Sequence, residues 1–119
     1  ARLIPHKRVA RDHFATSFDS RALIAVRKTA SYLALGLACE KRIDWALIKE
    51  LQPEYLSLRH TLVDRKTVNK AHNLGLKVTT WTVNDPKEIR RLHKLNIHSL
   101  ISDYPSMAVP LVARLNAGL

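Results

Sequence analysis

Apolar residues along this chain follow two rhythms that take turns. Short continuous or alternating runs read as strands, and stretches with apolar residues at every third or fourth position read as helices. The first strand is expected at Phe14–Phe18, and Asp19 or Ser20 can cap a helix whose buried stripe is Leu23, Ile24 and Val26. The run Tyr32–Leu37 reads as a strand covered on both faces. Asp44 can then cap a helix carrying Trp45, Leu47, Ile48 and Leu51, which Pro53 breaks. A third strand is expected over Tyr55–His60, followed by a helix that Asp64 caps, that runs through Val68, Ala71 and His72, and that Gly75 stops. The fourth strand, Lys77–Asn84, is the clearest, being rich in β-branched and aromatic residues. Asp85-Pro86-Lys87-Glu88 is a helix start: a capping aspartate, a proline at the first helical position and a glutamate placed for a reciprocal capping box. Ile89, Leu92 and Leu95 form that helix's apolar stripe. A fifth strand is expected at Ser99–Asp103, ending at Tyr104-Pro105, and a last helix starts near Ser106 with Val109, Leu111, Val112 and Leu115.

Five β-α units in succession imply parallel strands joined by helical crossovers, in a single domain spanning residues 1–119. Two architectures repeat in this way. A doubly wound open sheet can be complete with five strands, whereas an eight-stranded barrel needs about 250 residues. Length alone favours the open sheet. Yet the chain has only three glycines and no Gly-rich phosphate loop to mark a nucleotide fold. Periodicity therefore leaves both open.

Composition narrows the classes. With 46% hydrophobic and 25% charged residues the chain has the balance of a folded globular protein, which excludes global disorder. No apolar run approaches the roughly 18 to 20 residues of a membrane span. The start, Ala1 to Arg8, has no stretch resembling a signal peptide and no initiator Met, which suggests a processed or cut product. Cys39 is the sole cysteine, so an internal disulfide or a cysteine-based zinc site cannot form, and a reducing, cytoplasmic setting is expected. A formal charge of +10 favours anionic partners: phosphate esters, nucleic acid or lipid headgroups. The cations are scattered in pairs such as Lys7-Arg8, Lys41-Arg42, Arg65-Lys66 and Arg90-Arg91 rather than gathered on one helix or tail, which argues against a dedicated nucleic-acid protein.

Three motifs choose between the architectures. Thr16-Ser17-Phe18-Asp19 resembles the Ser-Phe strand end of the glycerophosphodiester phosphodiesterase family. Gly75-Leu76-Lys77-Val78 leading to Trp81-Thr82-Val83-Asn84 resembles that family's Gly-Leu-x-Val and Trp-Thr-Val-Asn strand. Ser102-Asp103-Tyr104-Pro105 resembles its Thr-Asp-x-Pro ending, with Ser in place of Thr. The likeness runs from about Phe14 to about Met107, and Ala71–Gly75 and Asp85–Glu88 also look like family sequence. It implies an α/β fold that is part of a TIM (β/α)8 barrel, with the five units matching strands four to eight.

The resemblance also implies a reaction: hydrolysis of a glycerophosphodiester to an alcohol and glycerol 3-phosphate, with Ca²⁺ or Mg²⁺ as cofactor. In the family a His-Arg-Gly motif, a Glu-x-Asp, a second histidine, and a Glu and Lys supply the catalytic and metal-binding groups. None of these motifs is found here. His6 sits in Pro5-His6-Lys7, and Asp12-His13 precedes a strand instead of ending one. No catalytic residue and no metal ligand is assigned, and the chain alone is expected to be inactive. Functional groups of a TIM barrel gather at the C-terminal ends of its strands. There the resemblance points to Trp81 and Phe18 as apolar walls of a substrate pocket, with a barrel-core aromatic as the other reading of each; His60 could bond a substrate phosphate but reads first as a surface or satisfied core histidine. Asn84 and Asp103 read as turn and loop-tying residues. The alternative is a non-catalytic phosphate- or anion-binding module from a truncated relative. Five strands would leave Phe14–Phe18 and Ser99–Asp103 as unpaired edges, so a homo-oligomer or a complex with a missing N-terminal segment is expected.

Overall fold

Aspartates open four of the helices, and each does so by meeting backbone amides that a helix start leaves without a partner. Asp19 accepts from the Arg21 amide at 2.9 Å, Asp44 from Leu47 at 3.0 Å, Asp64 from Thr67 at 2.7 Å and Asp85 from Lys87 at 2.9 Å. A computed structural model describes residues 2–5, 15–17, 19–29 and 35–118. Its elements are β1 (Arg2–Pro5), β2 (Ala15–Ser17), α1 (Ser20–Thr29), β3 (Leu35–Cys39), α2 (Trp45–Leu51), β4 (Tyr55–Arg59), a 3₁₀ turn (His60–Leu62), α3 (Arg65–Asn73), β5 (Lys77–Trp81), α4 (Pro86–His93), β6 (Ser99–Ser102) and α5 (Pro105–Asn116).

Helix ends are equally local. After α3, Gly75 takes φ +78°, the Leu76 amide reaches back to the Ala71 carbonyl at 2.9 Å and the Gly75 amide to His72 at 2.9 Å. This paired closure uses the left-handed conformation that glycine adopts without steric cost. The capping box expected at α4 does not form. Asp85 caps as expected, but the Glu88 carboxylate is drawn to Arg91 and His60 instead of the Asp85 amide. A charge-assisted bond to guanidinium outcompetes one to a neutral amide.

Six strands form one sheet in the order β1-β6-β5-β4-β3-β2, and every neighbouring pair is parallel. From β2 to β6 each strand lies beside its predecessor. Crossovers that always step the same way, with the right-handed sense such connections share, keep all helices on one face of the sheet. A doubly wound sheet would reverse direction midway. The chain is therefore an arc of a singly wound (β/α)8 barrel, as the motifs implied and length alone did not.

Four expectations change. A sixth strand, Arg2–Pro5, pairs with β6 over Arg2↔Ser99 to Pro5↔Ser102, so Ser99–Ser102 is not a sheet edge. A four-residue run is too short for its periodicity to register. Strand β3 continues two residues past Leu37, because Ala38 and Cys39 extend the alternation; its expected start at Tyr32 lies outside the described residues. Strands β4 and β5 end earlier than expected, at Arg59 and Trp81, since His60 begins the 3₁₀ turn and Val83 swings to donate to the Ile101 carbonyl at 2.8 Å. In α1, Leu23 is buried as expected, but Ile24 is exposed.

Alternation sorts the side chains. On the helix side Leu35, Leu37, Leu56, Leu58, Val78 and Leu100 pack with Val68 and Ala71 of α3 and Ile89 and Leu92 of α4. The opposite, concave side carries small and hydroxyl residues: Gly36, Ala38, Ser57, Thr79 and Ser99, the last three in register across β4, β5 and β6. Thr80 is the exception on the helix side, being fully buried with no partner for its hydroxyl. An orphaned buried hydroxyl costs more than an apolar group of the same shape. Thr80→Val is therefore expected to leave stability unchanged or raise it by about 1 kcal/mol, whereas Leu56→Ala on the same face should cost about 2–5 kcal/mol. Urea denaturation of the two variants checks both, and a strongly destabilised Thr80→Val would contradict the assignment of its face.

Candidate functional site

The strand tips carry the candidate site. Trp81, the last residue of β5, is half-buried, and the register places it directly beside Arg59, the last residue of β4. In a parallel ladder, residues in register project to the same side, about 4.8 Å apart. Leu56 and Leu58 belong to the helix-side core, so Ser57 and Arg59 face the concave side, with Thr79 and Trp81 as their neighbours. The Arg59 guanidinium lies 4.0 Å from Glu40, just past the tip of β3, with both side chains about half exposed (49% and 53%).

His60 comes next along the chain and therefore turns the other way. The sequence leaves His60 as either a phosphate contact at the barrel mouth or a surface or satisfied core histidine; the structure turns it toward α4. Its Nδ1 meets Glu88 Oε2 at 2.7 Å. Arg91 holds the same carboxylate through Nε at 2.6 Å and Nη2 at 3.0 Å, and it also donates to the carbonyls of Val63 at 2.6 Å and His60 at 2.9 Å. The network locks the segment after β4 onto α4. Its Arg91 guanidinium, followed by His60, holds the Glu88 carboxyl down at about 2, against a partial desolvation that opposes the shift.

A second network ties the β5 and β6 tips. Asn84 Oδ1 accepts from the Ser102 hydroxyl at 3.2 Å and from the Asp103 amide at 3.0 Å, while its Nδ2 donates to the Asp103 carboxylate at 3.2 Å. The Ser102 hydroxyl in turn accepts from the Tyr104 amide at 3.0 Å. Asn84 is thus a clip between two loops, in keeping with its reading as a turn residue. Asp103 ties the loop by accepting from the Asn84 side-chain amide. Tyr104 stands exposed beside the clip at the start of α5.

Phe18 lies outside the described residues. Arg59 is the residue that sequence reasoning missed. Its signal was present, since strand alternation counted from Leu56 and Leu58 puts Arg59, not His60, on the side of Trp81. Cys39 near the β3 tip is buried, and burial pushes its thiol up, only partly offset by the Asp44 amide, so it is no activated nucleophile. Among the described residues no group of three His, Cys, Asp or Glu side chains converges to hold a metal ion. A hard divalent cation requires several converging oxygens, so these residues do not fit the metal that the resemblance implies. No helix among the described residues is long and apolar enough to cross a membrane.

The singly wound order of parallel strands and crossover helices defines this chain as part of a TIM-barrel protein. The sequence model of the glycerophosphoryl diester phosphodiesterase family matches residues 2–107, and the chain belongs to that family. A Bacillus subtilis (strain 168) protein named as a glycerophosphodiester phosphodiesterase, YhdW, is 27% identical over 55 residues, covering 46% of this chain and 23% of its own length. A Silicibacter pomeroyi DSS-3 structure assigned to the glycerophosphoryl diester phosphodiesterases superposes with a TM-score of 0.79 at 24% identity, over 91% of this chain and 40% of that one. An Oleispira antarctica phosphodiesterase, solved with its product sn-glycerol-3-phosphate, superposes with a TM-score of 0.76 at 21% identity, over 83% of this chain and 41% of that one. This chain thus spans about two fifths of the solved structures.

The Glu88 network has a pH signature. The folded-state pKa of about 2 lies below the usual 4.5, so its stabilisation is complete above pH 4.5 and is lost as pH falls from 4.5 through 2. Glu88→Gln should cost on the order of 1 kcal/mol at neutral pH. The gap between wild type and variant should close across that acid window. Thermal melts of both proteins from pH 7 to pH 2 measure it, and a gap that persists unchanged to pH 2 would contradict the ionic character of the network.

Proposed function

We propose that this chain forms one side of the active-site mouth of a glycerophosphodiester phosphodiesterase. The complete barrel hydrolyses a glycerophosphodiester to an alcohol and glycerol 3-phosphate, and the arc contributes the substrate wall. The family match over residues 2–107 carries this reading. The product bound in the Oleispira antarctica relative supports a phosphate-bearing ligand of this kind.

Trp81 is the wall. An indole at the tip of a barrel strand offers a flat apolar surface to the glycerol or leaving-group carbons and keeps water off them. The Asn84–Ser102–Asp103 clip fixes the loop that follows Trp81, which holds the ring's backbone in place. A base to activate water, an acid for the departing alkoxide and a divalent ion are needed for phosphodiester cleavage. Among the described residues no group of three His, Cys, Asp or Glu side chains converges to hold such an ion. We propose that the chain alone is inactive and that the divalent metal is held by residues outside this arc.

Among the described residues β1 and β2 are the sheet edges, and such edges recruit further strands. We propose that the chain associates through them, with a second copy or with a segment that completes the barrel. Light scattering of the purified chain should give a mass above that of the monomer, and a stable monomer at all concentrations would count against edge pairing. For the catalytic reading, the purified chain with glycerophosphocholine and Ca²⁺ or Mg²⁺ should release no choline above the blank. Turnover that survives removal of host enzymes, and that Trp81→Ala abolishes, would overturn the proposed inactivity.

A further inference from the structure

We infer that Arg59 is the phosphate-recognising cation of this arc, with Trp81 beside it reading the carbon portion of the ligand and Glu40 acting as an internal stand-in for the anion. The inference rests on the proposed reading of the mouth as a site for a phosphate-bearing ligand, and deepens it.

Three observations carry it. First, the register Arg59↔Trp81 puts a guanidinium and an indole next to each other on the concave side of two strand tips, where barrel ligands sit. Second, Arg59 is half exposed, and its ion pair with Glu40 spans 4.0 Å, the outer limit of such a contact. The pair is loose enough for a ligand anion to displace. A surface pair of this length contributes little to folding, so it does not by itself account for an arginine at this tip. Third, the nearby Arg91 of α4 is committed to Glu88 and to two backbone carbonyls on the helix side. Among the described residues Arg59 meets Glu40 and has no such anchoring network, and its fork can meet two phosphate oxygens at once, which a point charge does not do.

The arrangement makes the ligand an organic phosphate with a short polar or apolar carbon skeleton, such as glycerol phosphate. Phosphate oxygens take the guanidinium and the carbon skeleton lies along the indole. Glu40 keeps Arg59 extended while the mouth is empty and competes with the incoming anion.

Titration of the ¹⁵N-labelled chain with sn-glycerol 3-phosphate, with glycerol as neutral control, tests this at the Trp81 indole N–H and the Arg59 Nε–H. Saturable shifts of both signals are expected with glycerol 3-phosphate and none with glycerol. Arg59→Gln should weaken binding by about tenfold or more, Arg59→Lys should restore part of it, and Glu40→Gln should tighten it by a few fold by removing the competitor. The dispersed amide spectrum of each variant reports whether it folds. If Arg59→Gln folds and binds as the wild type does, with the Trp81 signal still shifting, Arg59 is not the phosphate contact although the mouth reading stands. If the wild type gives no saturable Trp81 shift, the mouth reading falls and the Arg59 inference with it.

Discussion

The structure depends on one constraint: side chains alternate along each strand, and the parallel ladder keeps neighbours in step. Once β4 and β5 pair as Leu56↔Val78 and Arg59↔Trp81, every other choice is made. Leu56, Leu58 and Val78 must meet the helices, and Ser57, Arg59, Thr79 and Trp81 must face away from them. A slip of one residue would put an arginine and a tryptophan under α3 and α4 and expose the leucines. The cost of burying an unpaired guanidinium there fixes the register as firmly as the leucines do.

The same constraint explains the chemistry of the rim. Adjacent positions Arg59 and His60 point to opposite sides and lead different lives. His60 joins Glu88 and Arg91 in fastening the strand tip to α4, while Arg59 stands over the concave side beside Trp81. The arc thus carries an apolar surface and a cation at its tips, and its described residues bring together no cluster of carboxylates and histidines. That composition is what the proposed substrate-holding role asks of the arc.

Much of this was legible in the sequence. The caps at Asp44, Asp64 and Asp85 and the Gly75 stop are local devices, and local devices survive folding unchanged. The β-α order and the Trp81 motif gave the barrel. What eluded the sequence was decided by partners far along the chain. Strand β1 exists because β6 offers it a ladder, not because four residues show a period. Glu88 left its capping role because Arg91 sits one turn on and His60 lies across from it. His60 drew notice as a titratable residue at a strand end, whereas the count from Leu56 already favoured Arg59. Phe18 lies outside the described residues.

The most direct test of the account is the set of interstrand and side-chain nuclear Overhauser contacts around Trp81 in the labelled chain. Parallel pairing with the register described requires contacts between the Trp81 indole and the Arg59 side chain, and none between that indole and Ile89 or Leu92 of α4. Indole contacts to Ile89 or Leu92, or an antiparallel pattern between β4 and β5, would mean that the tips do not face the mouth and that the barrel arc is wrong.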